Sequence, residues 1–111
     1  MTYQTKTYPA LKHHLFSSLF EHTSNAIIIT DASSTIIDMN PSFCRITGYS
    51  HTEAVGKKPT FLQSGQQDKP FYQDMWQQLK DKRQWQGEVW NRRKDGFIYP
   101  ELLTIYSVTN Q

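Results

Sequence analysis

Between Asn40 and Gly56 the chain carries two helix starts and two helix stops in quick succession. Asn40-Pro41 reads as an N-cap followed by proline at the first helical position, where the missing N–H would be unpaired anyway and the fixed φ already suits a helix. Gly48 ends that helix. Ser50 then opens another, with Glu53 three positions on to complete a capping box, and Gly56 stops it within two turns. Neither a long helix nor a strand can pass through such a segment. Any fold this chain adopts must contain very short helices in series, with the longer elements arranged around them.

The flanks supply those elements. Ala26-Ile27-Ile28-Ile29-Thr30 is a short β-branched run, followed by the turn residues Asp31-Ala32-Ser33-Ser34 and a second strand, Thr35 to Met39, so the pair reads as a hairpin. After a polar stretch through Ser64-Gly65, Asp68 can cap a helix from Lys69 to about Lys82, with Pro70 tolerated in the first turn and Phe71, Met75, Trp76 and Leu79 on one face. Gly87 to Arg92 reads as a strand, Arg93-Lys94-Asp95-Gly96 as a turn, and Phe97 to Val108 as the last strand. Ahead of all this, Leu11, Leu15, Phe16, Leu19 and Phe20 recur at helical spacing and predict an amphipathic helix over Tyr8 to Glu21. The predicted order is α-ββ-αααα-ββ, a mixed α+β domain with one antiparallel sheet and helices on one face.

Composition narrows the class. The length of 111 residues suits one domain, and 37% hydrophobic with 20% charged residues is too apolar for disorder. No apolar run approaches a membrane span, so direct membrane insertion is not expected. Met1 to Pro9 lacks the order of a signal peptide and the lone Cys44 cannot form an internal disulfide, which makes a reducing cytoplasm the expected compartment. The basic cluster Arg92-Arg93-Lys94 runs straight into Asp95-Gly96, a solvated turn rather than a nucleic-acid face. His13, His14, His22 and His51 are scattered in no spacing that converges on a metal. No Ser-His-Asp set or Gly-rich phosphate loop is legible, and a hairpin closing between Arg93 and Phe97 sets Val89 opposite Glu101, leaving one inward carboxylate without a second. The chain is therefore expected not to be an enzyme.

The same element order, with Asn40-Pro41-Ser42-Phe43, Thr47-Gly48-Tyr49, Glu53, Val55-Gly56, Trp85-Gln86-Gly87-Glu88 and Asn91-Arg92-Arg93-Lys94-Asp95-Gly96, resembles the PAS family from about Leu19 to Val108. Tyr72, Met75-Trp76, the Trp-Gln-Gly-Glu stretch and Tyr99-Pro100-Glu101 are most similar to PAS domains that precede diguanylate cyclase and phosphodiesterase (GGDEF and EAL) domains. The resemblance implies a sensory or regulatory module that binds a small ligand or relays a signal to an effector in the same polypeptide, in that case one controlling cyclic di-GMP. It also implies a homodimer. The alternative is a ligand-free interaction and dimerisation domain. Residues 1–21 are expected to be a cap helix and 22–111 the PAS domain.

Family members bind ligands between sheet and helices, so each cofactor class can be set against the residues. Light-sensing LOV domains need a thiol over the flavin. The matching stretch, Gly56-Lys57-Lys58-Pro59-Thr60-Phe61-Leu62-Gln63, has Pro59 where that cysteine would stand, which excludes an FMN adduct; Cys44 lies on an earlier helix. Haem sensors ligate iron through a histidine on the long helix, and none lies between Lys69 and Lys82. A carboxylate sensor would need inward basic residues, which the strands do not offer. Non-covalent FAD is the best candidate: Trp76 and Asn91 match flavin-contacting positions, while Glu101 and Pro59 depart from the pattern. An empty or adventitiously filled pocket is the competing reading.

Three structural expectations follow. The pocket should be lined by Phe43, Phe61, Trp76, Asn91, Tyr99 and Glu101, with the Glu101 carboxyl raised in pKa by burial. The other face of the sheet should gather Trp90, Ile98, Leu102 and Tyr106, covered by the N-terminal helix of the same chain or of a mate. Finally, PAS sheets have five antiparallel strands and four are legible. The missing one belongs between the first and last of these, so its absence should split the sheet into two hairpins unless downstream residues or another chain fill the slot. Thr2 to Thr7 is the only unassigned local stretch long enough to substitute.

Overall fold

The computed structural model describes residues 8–108, and side chains from residue 14 onward. The elements are α1 (Tyr8–His22), β1 (Ala26–Thr30), β2 (Ile36–Met39), α2 (Pro41–Thr47), α3 (His51–Ala54), a 3-10 turn at Pro59–Leu62, α4 (Lys69–Lys82), β3 (Gln84–Arg92) and β4 (Ile98–Ser107). The punctuation acts as the residues demand. Asn40 caps α2 by accepting from the Phe43 N–H, Gly48 closes it at φ 82°, and both halves of the Ser50–Glu53 capping box form on α3. Asp68 caps α4 by accepting from the Phe71 N–H.

Asn40 does more than cap. Fully buried, its Oδ1 also accepts from the Ile27 N–H at 2.9 Å and its Nδ2 donates to the Asn25 carbonyl at 2.9 Å, which ties the start of α2 to β1. The β3–β4 turn is fastened in a similar way. The Lys94 N–H donates to the Thr47 carbonyl at 2.9 Å and the Lys94 ammonium pairs with Glu53, so the distal hairpin is held against both short helices.

The sheet has the order β2-β1-β4-β3. Its outer pairs, β1–β2 and β3–β4, are antiparallel, but β1 pairs with β4 in parallel, Ala26 opposite Leu103 through Thr30 opposite Ser107. This corrects two expectations: the sheet is not antiparallel throughout, and no gap splits it. The reason is geometric. Strands that flank a central antiparallel strand run parallel to each other, so they can bond directly when nothing lies between them, and the backbone groups are then paired. Thr2 to Thr7 lies outside the described residues.

Strand alternation sends Trp85, Val89 and Asn91 from β3 and Glu101, Leu103 and Ile105 from β4 to the inner face, all buried. Val89 does stand opposite Glu101. β3 starts three residues earlier than the sequence reading, at Gln84, and Gly87 explains the difference. It sits beside Trp85 on the inner face, and a Cβ there would lie 2.9 Å from the indole, so the glycine is room for a ring rather than the start of a strand. Trp85 fills that room and meets Phe71 of α4 edge-on.

The outer face is open within the single chain, which corrects the expected cover by the chain's own N-terminal helix. Trp90, Ile98 and Leu102 are exposed and Tyr106 is half-buried, while α1 packs on α2 instead of on the sheet. On α1 only Phe20 is buried among the described side chains; Leu15, Phe16 and Leu19 are exposed.

Candidate functional site

Between the inner face of the sheet, the 3-10 turn and α4 lies a small apolar cleft. Pro59 and Leu62 close one side, Tyr72, Met75 and Trp76 the second, and Val89, Leu103 and Ile105 form the floor. The space left open is about 10 Å³, roughly what one water molecule occupies. Asn91 and Gln63 bring polarity to one end, where a single bridge joins Gln63 to Asn91.

The Asn91 amide connects the cleft to a buried polar cluster. Its Nδ2 donates to Glu101 Oε2 at 2.6 Å, and both residues are 3% exposed. Glu101 Oε1 and the Tyr99 hydroxyl are also buried and lie beside each other, close enough to interact although they do not form a well-aligned hydrogen bond. Burial disfavours the carboxylate and pushes the Glu101 carboxyl above its usual range, although the bond from Asn91 opposes this. The Tyr99 hydroxyl is raised as well, first by burial and then by the Glu101 charge beside it. A neutral acid can donate as well as accept. Asn91 is the member of this cluster that lines the cleft, so its amide is the group that offers a ligand edge a donor and an acceptor there.

Of the residues expected to form the pocket, the structure brings together Trp76 and Asn91 on the cleft and Tyr99 and Glu101 next to it. Phe43 and Phe61 are elsewhere. Phe43 is fully buried core on α2, and Phe61 meets Tyr49 edge-on at 4.8 Å with the Lys57 ammonium 5.2 Å from its ring. The sequence reading missed Tyr72, Leu62 and Gln63 on the walls. Leu62 carried the only available signal, as the apolar residue beside Phe61, but a 3-10 turn aims neighbours differently from an α-helix.

Pro59 lies on the cleft wall, so the position matched to the LOV thiol faces the expected space but has no sulfur. Cys44 is half-buried on α2 and burial pushes its thiol up, which leaves it a poor nucleophile. No group of three or more His, Cys, Asp or Glu that could hold a metal ion occurs among the described residues.

The model of the PAS domain family matches residues 24–111, and this chain belongs to that family. It is 42% identical over 96 residues to a nitrogen fixation regulatory protein of Klebsiella oxytoca, covering 86% of this chain and 19% of that protein. It is 36% identical over 70 residues to the aerotaxis receptor of Escherichia coli, covering 63% and 14%. Among solved structures, a LOV protein of Rhodobacter sphaeroides superposes with a TM-score of 0.70 at 25% identity, over 92% of this chain and 60% of that one. The chain thus spans a fifth or less of the curated relatives named here, and what it shares with them is a PAS sensory domain of signalling proteins.

Proposed function

We propose that this chain is a ligand-binding sensory module whose inner cleft takes a flat ring with a polar edge, non-covalent flavin being the leading candidate. One observation carries the reading: Asn91, at the end of an apolar slot, holds a buried Glu101 carboxyl that has the Tyr99 hydroxyl beside it. A buried polar group left without a partner costs roughly 1–3 kcal/mol, so an amide at the mouth of an apolar slot favours a ligand edge that adds hydrogen bonds to it. The likeness to a LOV protein supports the same class.

The donor and acceptor set fits the polar rim of a flavin ring. The space does not yet fit it. A ligand of that size occupies about 300 Å³ or more, so Tyr72, Met75 and Trp76 would have to swing outward with α4. Such a shift moves α4 relative to β3 and β4, which is how occupancy could reach a neighbouring effector. A bound flavin would supply sensitivity to redox state; the chain's own residues would hold and orient it. The test is the absorbance spectrum of the purified protein before and after incubation with FAD. Flavin bands that survive gel filtration and vanish in Asn91→Ala support the proposal, and a colourless protein after reconstitution refutes it.

A second reading is a ligand-free interaction and dimerisation domain, favoured by the nearly closed cleft together with the open outer face of the sheet. On either reading we place an effector in the same polypeptide and no catalysis in this chain, since one inward carboxylate has no acidic partner. The likeness of Trp85-Gln86-Gly87-Glu88 and Tyr99-Pro100-Glu101 to PAS domains before cyclases supports a diguanylate cyclase or phosphodiesterase as that effector. No helix among the described residues is long and apolar enough to cross a membrane, and we read the module as working in the cytoplasm.

A further inference from the structure

A second cleft, of about 310 Å³, opens on the surface where the end of α4 meets the β1–β2 turn and the end of β4. Ala32 and Ser34 come from the turn, Trp76, Leu79 and Lys80 from α4, Arg83 from its C-cap, and Ser107 from β4. Its volume is at the lower end of what small-molecule sites enclose, about 300–1,000 Å³. The inner cleft, by contrast, is nearly filled.

Two features go beyond an ordinary surface dent. Lys80 and Arg83 both face it, and neither forms an ion pair or side-chain hydrogen bond among the described residues. Cations in the last turn of a helix are favoured by the helix dipole alone, so their presence would not be enough. The backbone adds the second feature. Only two non-glycine residues among those described have positive φ, Ser34 at 68° and Arg83 at 64°, and both are on the walls of this cleft. At Arg83 this conformation is the C-cap that ends α4, its N–H donating to the Leu79 carbonyl, and at Ser34 it closes the β1–β2 turn, so the two positions fix the walls of the cleft rather than mark a ligand by themselves.

We propose that this outer cleft is a second binding site, for a small organic anion with a flat apolar body. Lys80 and Arg83 receive the carboxylate or phosphate oxygens, and the Ser34 hydroxyl is placed to donate, while the Ser107 hydroxyl donates to the Asp31 carbonyl at 3.3 Å and borders the cleft without a free donor. Trp76 and Leu79 supply the surface on which a ring lies, and guanidinium and ammonium groups suit oxyanions by charge and by donor geometry. Trp76 also lines the inner cleft, so an occupant here presses on the wall between the two sites. The site stands whether or not the inner cleft binds a flavin.

The experiment is a titration of 15N-labelled protein with phenyl phosphate, with inorganic phosphate and sodium chloride in parallel. Saturable shifts of the Ser34, Arg83 and Ser107 amides and of the Trp76 indole N–H are expected with phenyl phosphate, and inorganic phosphate should bind more weakly. Lys80→Ala and Arg83→Gly should each weaken binding about tenfold or more, the loss of one charge-assisted contact. Arg83→Gly is the decisive variant. Glycine accepts the left-handed conformation freely, so its melting temperature should hold or rise while binding falls. Equal affinity for both phosphates overturns the flat-body assignment. Unchanged affinity in both variants, shifts reproduced by sodium chloride, or shifts centred on Val89 and Leu103 overturn the site.

Discussion

At the residue scale, two buried polar side chains are asked to do opposite things. The Asn40 side chain bonds three backbone groups at once; truncation would take its partner from the Ile27 N–H and the Asn25 carbonyl, while the Phe43 N–H would keep the Asn40 carbonyl. Asn40→Ala should cost about 2–4 kcal/mol, combining a lost N-cap with unpaired buried groups, and urea unfolding will measure it. Glu101 is instead under-satisfied. Because burial raises its pKa in the fold, the sign of the linkage is set: its contribution is fully favourable below the unfolded carboxyl value, near 4.3, and is lost as pH rises from there through the folded value. Glu101→Gln cannot ionise. Its melting temperature should therefore exceed that of the parent at neutral pH and converge towards it in acid, and a parallel pH profile for the two proteins would contradict this.

At the element scale, the short helices are held by the hairpin turn as much as by their own caps. Glu53 uses one carboxylate oxygen for the Ser50 N–H and the other for Lys94, and these bonds hold its carboxyl down to about 2. A depressed acid stabilises the fold above the unfolded carboxyl value and loses that contribution as pH falls through the folded one. The residue is solvent-exposed, so the pair is also screened by salt. Lys94→Ala should return the Glu53 carboxyl part of the way towards its usual range in an NMR titration, with the Ser50 bond keeping it below. A titration midpoint that does not move would show that the cap alone sets it.

At the scale of the whole molecule, two apolar surfaces lack partners within the described chain. One is the outer face of the sheet with Trp90, Ile98 and Leu102, and the other is α1 with Leu15, Phe16 and Leu19. Burying three such side chains is worth roughly 5–8 kcal/mol as an upper bound from area, which is enough to drive pairing once the costs of association are met. We expect micromolar protein to sediment as a dimer. Leu102→Glu should shift it to monomer while leaving the melting temperature within a few degrees, since Leu102 is exposed in the single chain. A parent that sediments as a monomer at high concentration would remove the dimer reading.

How much of this was legible beforehand depended on the range of the forces involved. Helix starts and stops are local events, carried by Asn40, Gly48, Ser50, Glu53 and Asp68 bonding within a few residues, and the sequence alone determined them. Inner and outer faces of β3 and β4 follow from a period of two and the β3–β4 turn, so Glu101 opposite Val89 was legible as well. Burial of Glu101 was also legible, because it needed only that alternation. The pairing of β1 with β4 was not, because two segments more than seventy residues apart choose each other by what else is available to satisfy their backbones. Phe61 was misassigned for a related reason: a 3-10 turn sets side-chain direction by its own geometry. Only the tertiary structure decided that α1 leaves the sheet uncovered, and that Lys80, Arg83 and Ser34, from elements far apart in the chain, share one cleft. Those are outcomes of packing, which no local pattern encodes.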